Sequence, residues 1–163
     1  MAIDQNRGTE VAMHASEKPP QRPVVRLVEG FDPAQGGTTS YFADPGKAAL
    51  NNLARLDPLR GYWVHASGST TLNVQTTSGQ PVPVPLTPGW NLVSWGGADG
   101  APLPDAIASL SPDAVYGFNP SGDGTTSWFS DQNKLSLTNL HTLQTNQAYW
   151  VHVTASSLSW TGR

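Results

Sequence analysis

The chain has 163 residues, of which 37% are hydrophobic and only 13% are charged, so much of its polar surface has to come from Ser, Thr, Asn and Gln. The net charge is -3 without a basic cluster, which argues against the concentrated positive surface that nucleic-acid binding requires. Cysteine is absent, which excludes disulfides, thiolate metal sites and a Cys nucleophile. No apolar run approaches the roughly 20 residues of a membrane helix, so we expect no membrane insertion.

Residues 1–23 show no sustained hydrophobic periodicity and end in a Pro-rich run, which predicts an extended leader, with a short strand at 10–14 as an alternative. The first residues are polar and do not have the pattern of a signal peptide. Low charge and many small polar residues are typical of bacterial extracellular and surface β modules. Either the protein stays inside the cell, or this chain is a piece of a longer exported protein. We expect the piece, because the first copy of the internal repeat described below is incomplete.

The main feature of the sequence is an internal repeat. The tetrapeptide Tyr-Trp-Val-His stands at 62–65 and again at 149–152. Residues 30–65 align with residues 117–152 without a gap, at a constant spacing of 87 residues, and half of the aligned positions are identical. The repeat predicts a first, partial β unit at 24–77, a Pro-rich linker or edge strand at 78–88, and a second β unit at 89–163.

The predicted elements follow the chain as short strands separated by Gly, Pro, Asn and Asp. The predicted strands are 24–28, 38–42, 61–66, 70–76, 89–95, 114–118, 125–130, 148–153 and 157–160. One helix is predicted at 104–110, because Pro104 and Asp105 suit a helix start and Ile107 and Leu110 give one apolar side. The first copy has no equivalent of 89–95 or of this helix. Either the first copy is truncated, or both copies share strands in one pseudo-symmetric body.

Strand periodicity also predicts the core. Tyr62 and Val64 share one strand face, and Trp63 and His65 share the other. Leu residues at three-residue spacing, from Leu50 and from Leu137, predict helical turns that pack onto the sheets. The predicted core consists of Phe31, Phe42, Leu53, Tyr62, Val64, Leu92, Val115, Phe118, Phe129, Leu140, Tyr149 and Val151.

Part of the second copy is similar to a known repeat. The segment Leu-Thr-Pro-Gly-Trp-Asn-Leu-Val-Ser at 86–94, followed by Trp128-Phe129, by 140–143 and by Tyr-Trp-Val at 149–151, resembles the "GWNLVS … GYWV" repeat of bacterial surface and secreted proteins. The resemblance covers 86–160, with 27–74 as a partial copy. It implies an accessory module for surface display or adhesion, and it brings no catalytic residues and no cofactor.

The candidate binding residues are the repeated aromatic and His side chains. A Trp face can stack on a sugar ring while a nearby His supplies a hydrogen bond, and the alternative is that each Trp fills the core and each His covers its edge. The candidate ligand-binding residues are Trp63, His65, Trp128, Trp150 and His152.

The repeated polar residues favour structural roles over catalysis. Asp44 and Asp131 stand just after a strand, where a carboxylate closes a turn by bonding backbone amides. An enzyme would need one of them within about 3 Å of a His. The loop 119–124 lacks the alternating oxygen ligands and the late Glu of a calcium loop, and the Thr-Thr-Ser repeats lack the flanking Gly of a nucleophile elbow. We expect no catalytic residue and no metal.

The sequence therefore predicts a mainly β protein of two related small antiparallel units, each a sheet or part-barrel, with a pseudo-two-fold relation and one short helix. We expect a non-enzymatic bacterial surface or extracellular module with a structural or adhesive role. The alternative is a carbohydrate-binding module that uses the repeated Trp and His faces. Expected partners are glycans or another surface protein, without nucleic acid and without a cofactor.

Overall fold

A computed structural model describes residues 25–69, 83–119 and 124–162. The predicted leader 1–23, the alternative strand 10–14 and the predicted strand 70–76 lie outside the described residues. The strands are β1 (Val25–Asp32), β2 (Gly37–Phe42), β3 (Tyr62–Ala66), β4 (Val84–Leu86), β5 (Gly89–Ser94), β6 (Ala101–Pro102), β7 (Ala114–Asn119), β8 (Gly124–Phe129), β9 (Thr142–Leu143), β10 (Ala148–Val153) and β11 (Leu158–Trp160). The 3₁₀ segments are Pro33–Gln35, Pro45–Leu50, Asp105–Leu110 and Gln132–Leu137.

The strands form two main antiparallel sheets. The first sheet has the order β2-β1-β3, and the second has the order β5-β10-β7-β8. Two smaller pairs, β11-β4 and β6-β9, accompany the second sheet. The prediction of a mainly β protein built from antiparallel units is confirmed. Within the predicted linker 78–88, β4 is a short strand paired with β11 rather than a free connection.

The two copies pair their strands in the same register. Val28 lies opposite Val64 in the first sheet, and Val115 lies opposite Val151 in the second. These positions are related by the spacing of the sequence repeat. The hairpins β1-β2 and β7-β8 correspond in the same way, residue by residue. The duplicated sequence therefore folds into a duplicated three-stranded arrangement.

Side-chain contacts behind each hairpin are duplicated too. Asn52 Oδ1 accepts a hydrogen bond from the Ser40 amide at 2.6 Å, and Asn139 Oδ1 accepts one from the Ser127 amide at 2.7 Å. Each Asn sits after a 3₁₀ segment, where the chain crosses back over the hairpin. These bonds satisfy backbone groups that no strand pairs, and they explain why both copies keep an Asn here.

Each main sheet has a Trp-His face, which carries Trp63 and His65 or Trp150 and His152, and an opposite Tyr-Val face. The two Trp-His faces pack against each other at one end. Phe31 of the first copy lies 5.0 Å from Trp150 between ring centroids, and Trp63 lies 4.8 Å from Phe118. Phe31 and Phe118 are repeat counterparts, as are Trp63 and Trp150. The contact is therefore reciprocal, which is the signature of pseudo-two-fold packing.

A Gly next to this contact allows the sheets to approach closely. A Cβ on Gly61 would lie 2.8 Å from the Cβ of Ala148 and 2.7 Å from Cγ of Leu92. Ala148 is the repeat counterpart of Gly61, so near the pseudo-two-fold axis the two related positions meet each other. Only one of them has room for a side chain.

Strand β5 joins the two copies through its backbone. One edge of β5 pairs with β10, and on its other edge Arg60 bridges to Val93. The Gly61 amide donates to the Leu92 carbonyl at 3.1 Å, and the Ser94 amide donates to the Leu59 carbonyl at 3.0 Å. Of the two arrangements that the sequence leaves open, this corresponds to one body with a shared strand.

The Tyr-Val faces differ in how they are covered. On the second sheet this face is buried, and exposure alternates along β10, as strand periodicity predicts. The buried cluster on this face draws on β4, on Asp105–Leu110 and on β11. Its fully buried side chains include Val93, Val115, Leu143, Val151 and Val153. The first sheet has no counterpart of these covering elements among the described residues.

The predicted core is confirmed in part. Leu92, Val115, Leu140, Tyr149 and Val151 are buried. Phe31, Phe42, Leu53, Tyr62 and Phe129 are half-buried.

Two of the predicted core positions are wrong. Val64 is 42% exposed because it lies on the edge strand β3, whereas Val28, its partner on the central strand β1, is 9% exposed. Phe118 is 44% exposed, because its side chain points to the Trp-His face, where it meets the edge of Trp63.

The helical predictions are right in place and need correction in detail. The segment predicted at 104–110 is a 3₁₀ segment with Pro104 at the N-cap, and Ile107 leaves helical geometry at φ -128°. Leu50 and Leu137 do not pack onto the sheets, since each is 60% exposed. Both Leu end their 3₁₀ segments, and the next residue is extended. Only the later Leu of each series turn inward.

Candidate functional site

The structure does not assemble the predicted Trp and His residues into one platform. Trp63 and Trp150 belong to separate contacts between the copies. Trp128 lies opposite Val115 on the Tyr-Val face and packs against the buried cluster. It therefore faces away from Trp150 and His152. For Trp128 the core interpretation of the sequence applies, while Trp63 remains 41% exposed.

The two repeated His have different surroundings. His152 Nδ1 lies 2.9 Å from Asp113 Oδ2, and its ring meets the edge of Trp90 at 4.9 Å between centroids. Trp90 in turn stacks on Tyr116 at 5.1 Å. His65 is exposed and lines a cavity on the first sheet. Asp113 and Tyr116 are not repeated in the first copy, where Arg26 and Glu29 stand instead. This difference in the sequence already indicates that His65 and His152 have different surroundings.

Trp90 was missed as a functional candidate because its role depends on how β5 docks. In the register of β5 with β10, Trp90 lies directly opposite His152. The two residues are far apart in the sequence, so only the sheet topology brings them together. Trp90 is 37% exposed, and with Tyr116 and His152 it forms a partly open aromatic row.

A cavity of about 370 Å³ opens at one end of the second sheet. Its walls combine aromatic rings with neutral hydrogen-bonding groups. The lining side chains that bear on binding are Phe118, Asn139, His141, Gln144, Gln147 and Tyr149. Gln144 Nε2 donates to Thr142 Oγ1 at 3.1 Å, which orients this amide at the wall. The cavity lies on the Tyr-Val face, beside Gly117 and Tyr149, so the contact of Phe118 with Trp63 on the Trp-His face is separate from it.

In the first copy, the corresponding place is occupied by an ion pair. Arg60 Nη2 lies 3.1 Å from Asp32 Oδ2, and Asp32 is buried. The repeat counterparts of this pair are Gln147 and Asn119, which carry amides instead of charges. Among the described residues, the first copy therefore has a charged pair where the neutral cavity of the second copy carries two amides.

Tyr149 at the cavity wall is a neutral group. Burial raises the pKa of Tyr149 above its usual 10.0, and the hydrogen bond that its hydroxyl oxygen accepts from the Gln144 amide, at 2.7 Å, offsets this only in part. Burial likewise raises the pKa of Tyr62, whose hydroxyl accepts from the Asp57 amide at 2.8 Å. Neither phenol can act as a base near neutral pH.

The repeated Asp close turns, as their position in the sequence predicts. Asp44 Oδ1 accepts from the Gly46 amide and Asp131 Oδ1 from the Asn133 amide, both at 2.9 Å. The His and Asp pair within hydrogen-bond reach is His152 with Asp113 instead. In the described ranges, no three His, Asp or Glu side chains are grouped so that they could hold a metal ion.

Among helices in the described part of the chain, none has the length and apolar character to cross a membrane. Comparison of the chain with protein-family models, with curated proteins and with solved structures finds no match.

Proposed function

We propose that the chain is a non-enzymatic surface or extracellular module, with a structural or adhesive role within a longer exported protein. The observation that supports this most is that the repeated residues make structural contacts. The repeated Phe and Trp hold the two copies together reciprocally, and the repeated Asp and Asn close turns. The residues that both copies share therefore have structural roles. They do not support a catalytic role for a repeated side chain.

The location can be tested on cells that express the full reading frame. Intact cells are treated with a protease, and the chain is followed with an antibody to residues of β7 and β8. A surface module is degraded in intact cells, while a cytoplasmic control protein survives until lysis. Protection of the chain until lysis would contradict the proposal.

The adhesive part needs a second measurement. Beads coated with the purified chain are compared with beads coated with a Phe31→Ala, Trp150→Ala variant, which loosens one of the two contacts between the copies. Adhesion that depends on the joined copies is expected to fall in the variant. If uncoated beads adhere as well as coated ones, the role is structural only.

A second candidate function, carbohydrate binding, is favoured by the neutral cavity of the second copy. Sugar rings stack on exposed aromatic faces, and amide side chains bond their hydroxyls. Phe118 and Tyr149 are the aromatic residues of its lining, and Gln144 and Gln147 offer the amides. The predicted Trp and His residues are not in this lining, so this assignment moves the site away from them.

The two copies provide a matched test of sugar binding. The Asn119→Asp, Gln147→Arg variant gives the second copy the same two side chains that form the Asp32–Arg60 ion pair in the first copy. The new ion pair is expected to close the cavity. Neutral glycans on an array should bind the natural chain and lose binding to this variant. The reciprocal variant, Asp32→Asn with Arg60→Gln, changes the first copy and should leave binding unchanged. An array without any bound glycan would remove this second function.

A further inference from the structure

A second cavity, of about 540 Å³, lies on the Trp-His face of the first sheet, away from the contact between the copies. It lies where β1 begins and β3 ends. The side chains that matter for its chemistry are Arg26, Phe42, Asp44, Lys47 and His65. This cavity belongs to the first copy, whereas the neutral cavity belongs to the second.

The second copy shows what kind of group fits there. The counterparts of Phe42 and His65 are Phe129 and His152, and each of them meets an aromatic ring. Phe129 meets Tyr116 at 5.8 Å, and His152 meets Trp90 at 4.9 Å. In the first copy the counterpart of Tyr116 is Glu29, and the strand that carries Trp90 has no equivalent in the repeat. The cavity is therefore lined by the counterparts of two residues that each meet an aromatic ring in the second copy.

The charges around the cavity differ from those in the second copy. Asp113, which pairs with His152, is replaced by Arg26 in the first copy. Lys47 Nζ lies 5.3 Å from the centroid of the Phe42 ring, so a second cation stands over the same wall. The carboxylate of Asp44 faces the cavity too, but its Oδ1 already accepts the Gly46 amide. The charged side chains in the lining are the cations of Arg26 and Lys47 and the single carboxylate of Asp44, and Glu29 is not part of the lining, so the balance favours an anion.

We propose that this cavity binds a six-membered ring that carries a carboxylate, as in a hexuronic acid residue of an acidic polysaccharide. The sugar ring packs against Phe42 and His65, and its carboxylate bonds Arg26 and Lys47. Arg is suited to this because its planar guanidinium offers two parallel donors to a carboxylate. The proposal goes beyond the surface role and does not depend on the neutral cavity.

The test uses the full chain and a trimer of galacturonic acid, with the methyl ester of the same trimer as the matched probe. The ester keeps the ring and removes the charge. Binding is followed by NMR from the ring resonances of His65, which report this cavity, with those of His152 as an internal reference. The acid trimer is expected to shift His65 and to bind at least tenfold more tightly than the ester.

Variants locate the carboxylate. Arg26→Gln and Lys47→Gln are each expected to weaken binding of the acid trimer by about tenfold, since each removes one charge-assisted hydrogen bond. Lys134→Gln, at the counterpart of Lys47 in the second copy, should leave the affinity unchanged. A thermal melt of each variant shows whether it is folded. If one of the two Gln variants does not fold, the other still tests the proposal.

The outcomes separate this proposal from the others. Equal binding of acid and ester, shifts confined to His152, or an unchanged affinity in both Gln variants would each overturn it. Absence of binding by the acid trimer at millimolar concentration would do so as well. A surface location and neutral-glycan binding by the second copy could both stand after any of these results, because they are measured with other probes and other variants.

Discussion

The first and second copies have the same strand register and the same turn contacts, yet one valine position differs completely between them. Val151 is 0% exposed and its counterpart Val64 is 42% exposed. Both lie opposite a Val of the neighbouring strand. The local pattern thus fixes the strands and their pairing, whereas burial depends on whether another element covers the face. The second copy has such a cover, and its residues belong to one buried cluster.

The largest expected effect is therefore on stability at this pair of positions. Val151→Ala removes two carbons from a fully packed site and should lower the free energy of unfolding by about 2–3 kcal/mol, from lost transfer energy and a cavity. Val64→Ala removes the same carbons from a half-open face and should cost less than about 0.5 kcal/mol. Urea denaturation measures both.

Equal losses at Val64 and Val151 would mean that the two faces are covered alike in solution. A change in the slope of the urea transition would instead point to an altered unfolded state.

A second difference lies at the pseudo-two-fold axis, where Gly61 meets its counterpart Ala148. Gly61→Ala places a Cβ within 2.8 Å of Ala148 and should destabilise by about 1–3 kcal/mol through overpacking. Adding Ala148→Gly makes room again and should recover part of the loss. A double-mutant cycle measured by denaturation gives this coupling. Additive effects would show that the two sheets do not touch at this point.

The sequence predicts what is local and misses what depends on docking. Alternation correctly placed Tyr149 and Val151 inside, and the repeat correctly predicted related sheets. Val64 has the same pattern as Val151, so alternation alone could not show that Val64 lies on an edge strand and Val151 on a central strand with a full cover.

The candidate site was less accessible to sequence reasoning. Replacement of Asp32 and Arg60 by Asn119 and Gln147 can be read from the repeat alignment. That this exchange opens a cavity follows only from the 3.1 Å contact in the first copy. Trp90 could not be placed beside His152 without the pairing of β5 with β10.

The repeated Tyr, Tyr62 and Tyr149, are expected to make the stability of the protein depend on pH above about pH 10. Below the tyrosine pKa of 10.0 in the unfolded chain, Tyr149 and Tyr62 are protonated in both the folded and the unfolded state, so their contribution to stability is fully present. Above it the unfolded chain loses the protons first, because burial raises the folded pKa, and stability falls as pH rises through the folded pKa. Denaturation curves at pH 7 and in steps above pH 10 should show this decline.

Phe variants identify the source of that decline. Tyr149→Phe loses the hydrogen bond to the Gln144 amide and should cost about 1 kcal/mol at pH 7, and Tyr62→Phe should behave similarly. Each variant should show a shallower alkaline decline than the natural chain. An unchanged decline in the double variant would show that neither Tyr149 nor Tyr62 causes it.

The smallest expected effect concerns the Asp at the start of a 3₁₀ segment, a feature that the two copies share. Asp44→Ala and Asp131→Ala each remove one carboxylate that accepts a backbone amide at the start of a 3₁₀ segment, and each should cost about 0.5–1 kcal/mol. The backbone bonds are 2.9 Å in both copies and both carboxylates are exposed, while Asp131 Oδ1 also accepts from Asn133 Nδ2 at 3.1 Å. The loss at Asp131 should therefore equal that at Asp44 or exceed it by less than about 0.5 kcal/mol. Asn variants retain an accepting oxygen and serve as controls. A larger loss at Asp44 alone would show that this carboxylate has a further partner in the cavity of the first sheet, because Asp131 has the same turn without that cavity.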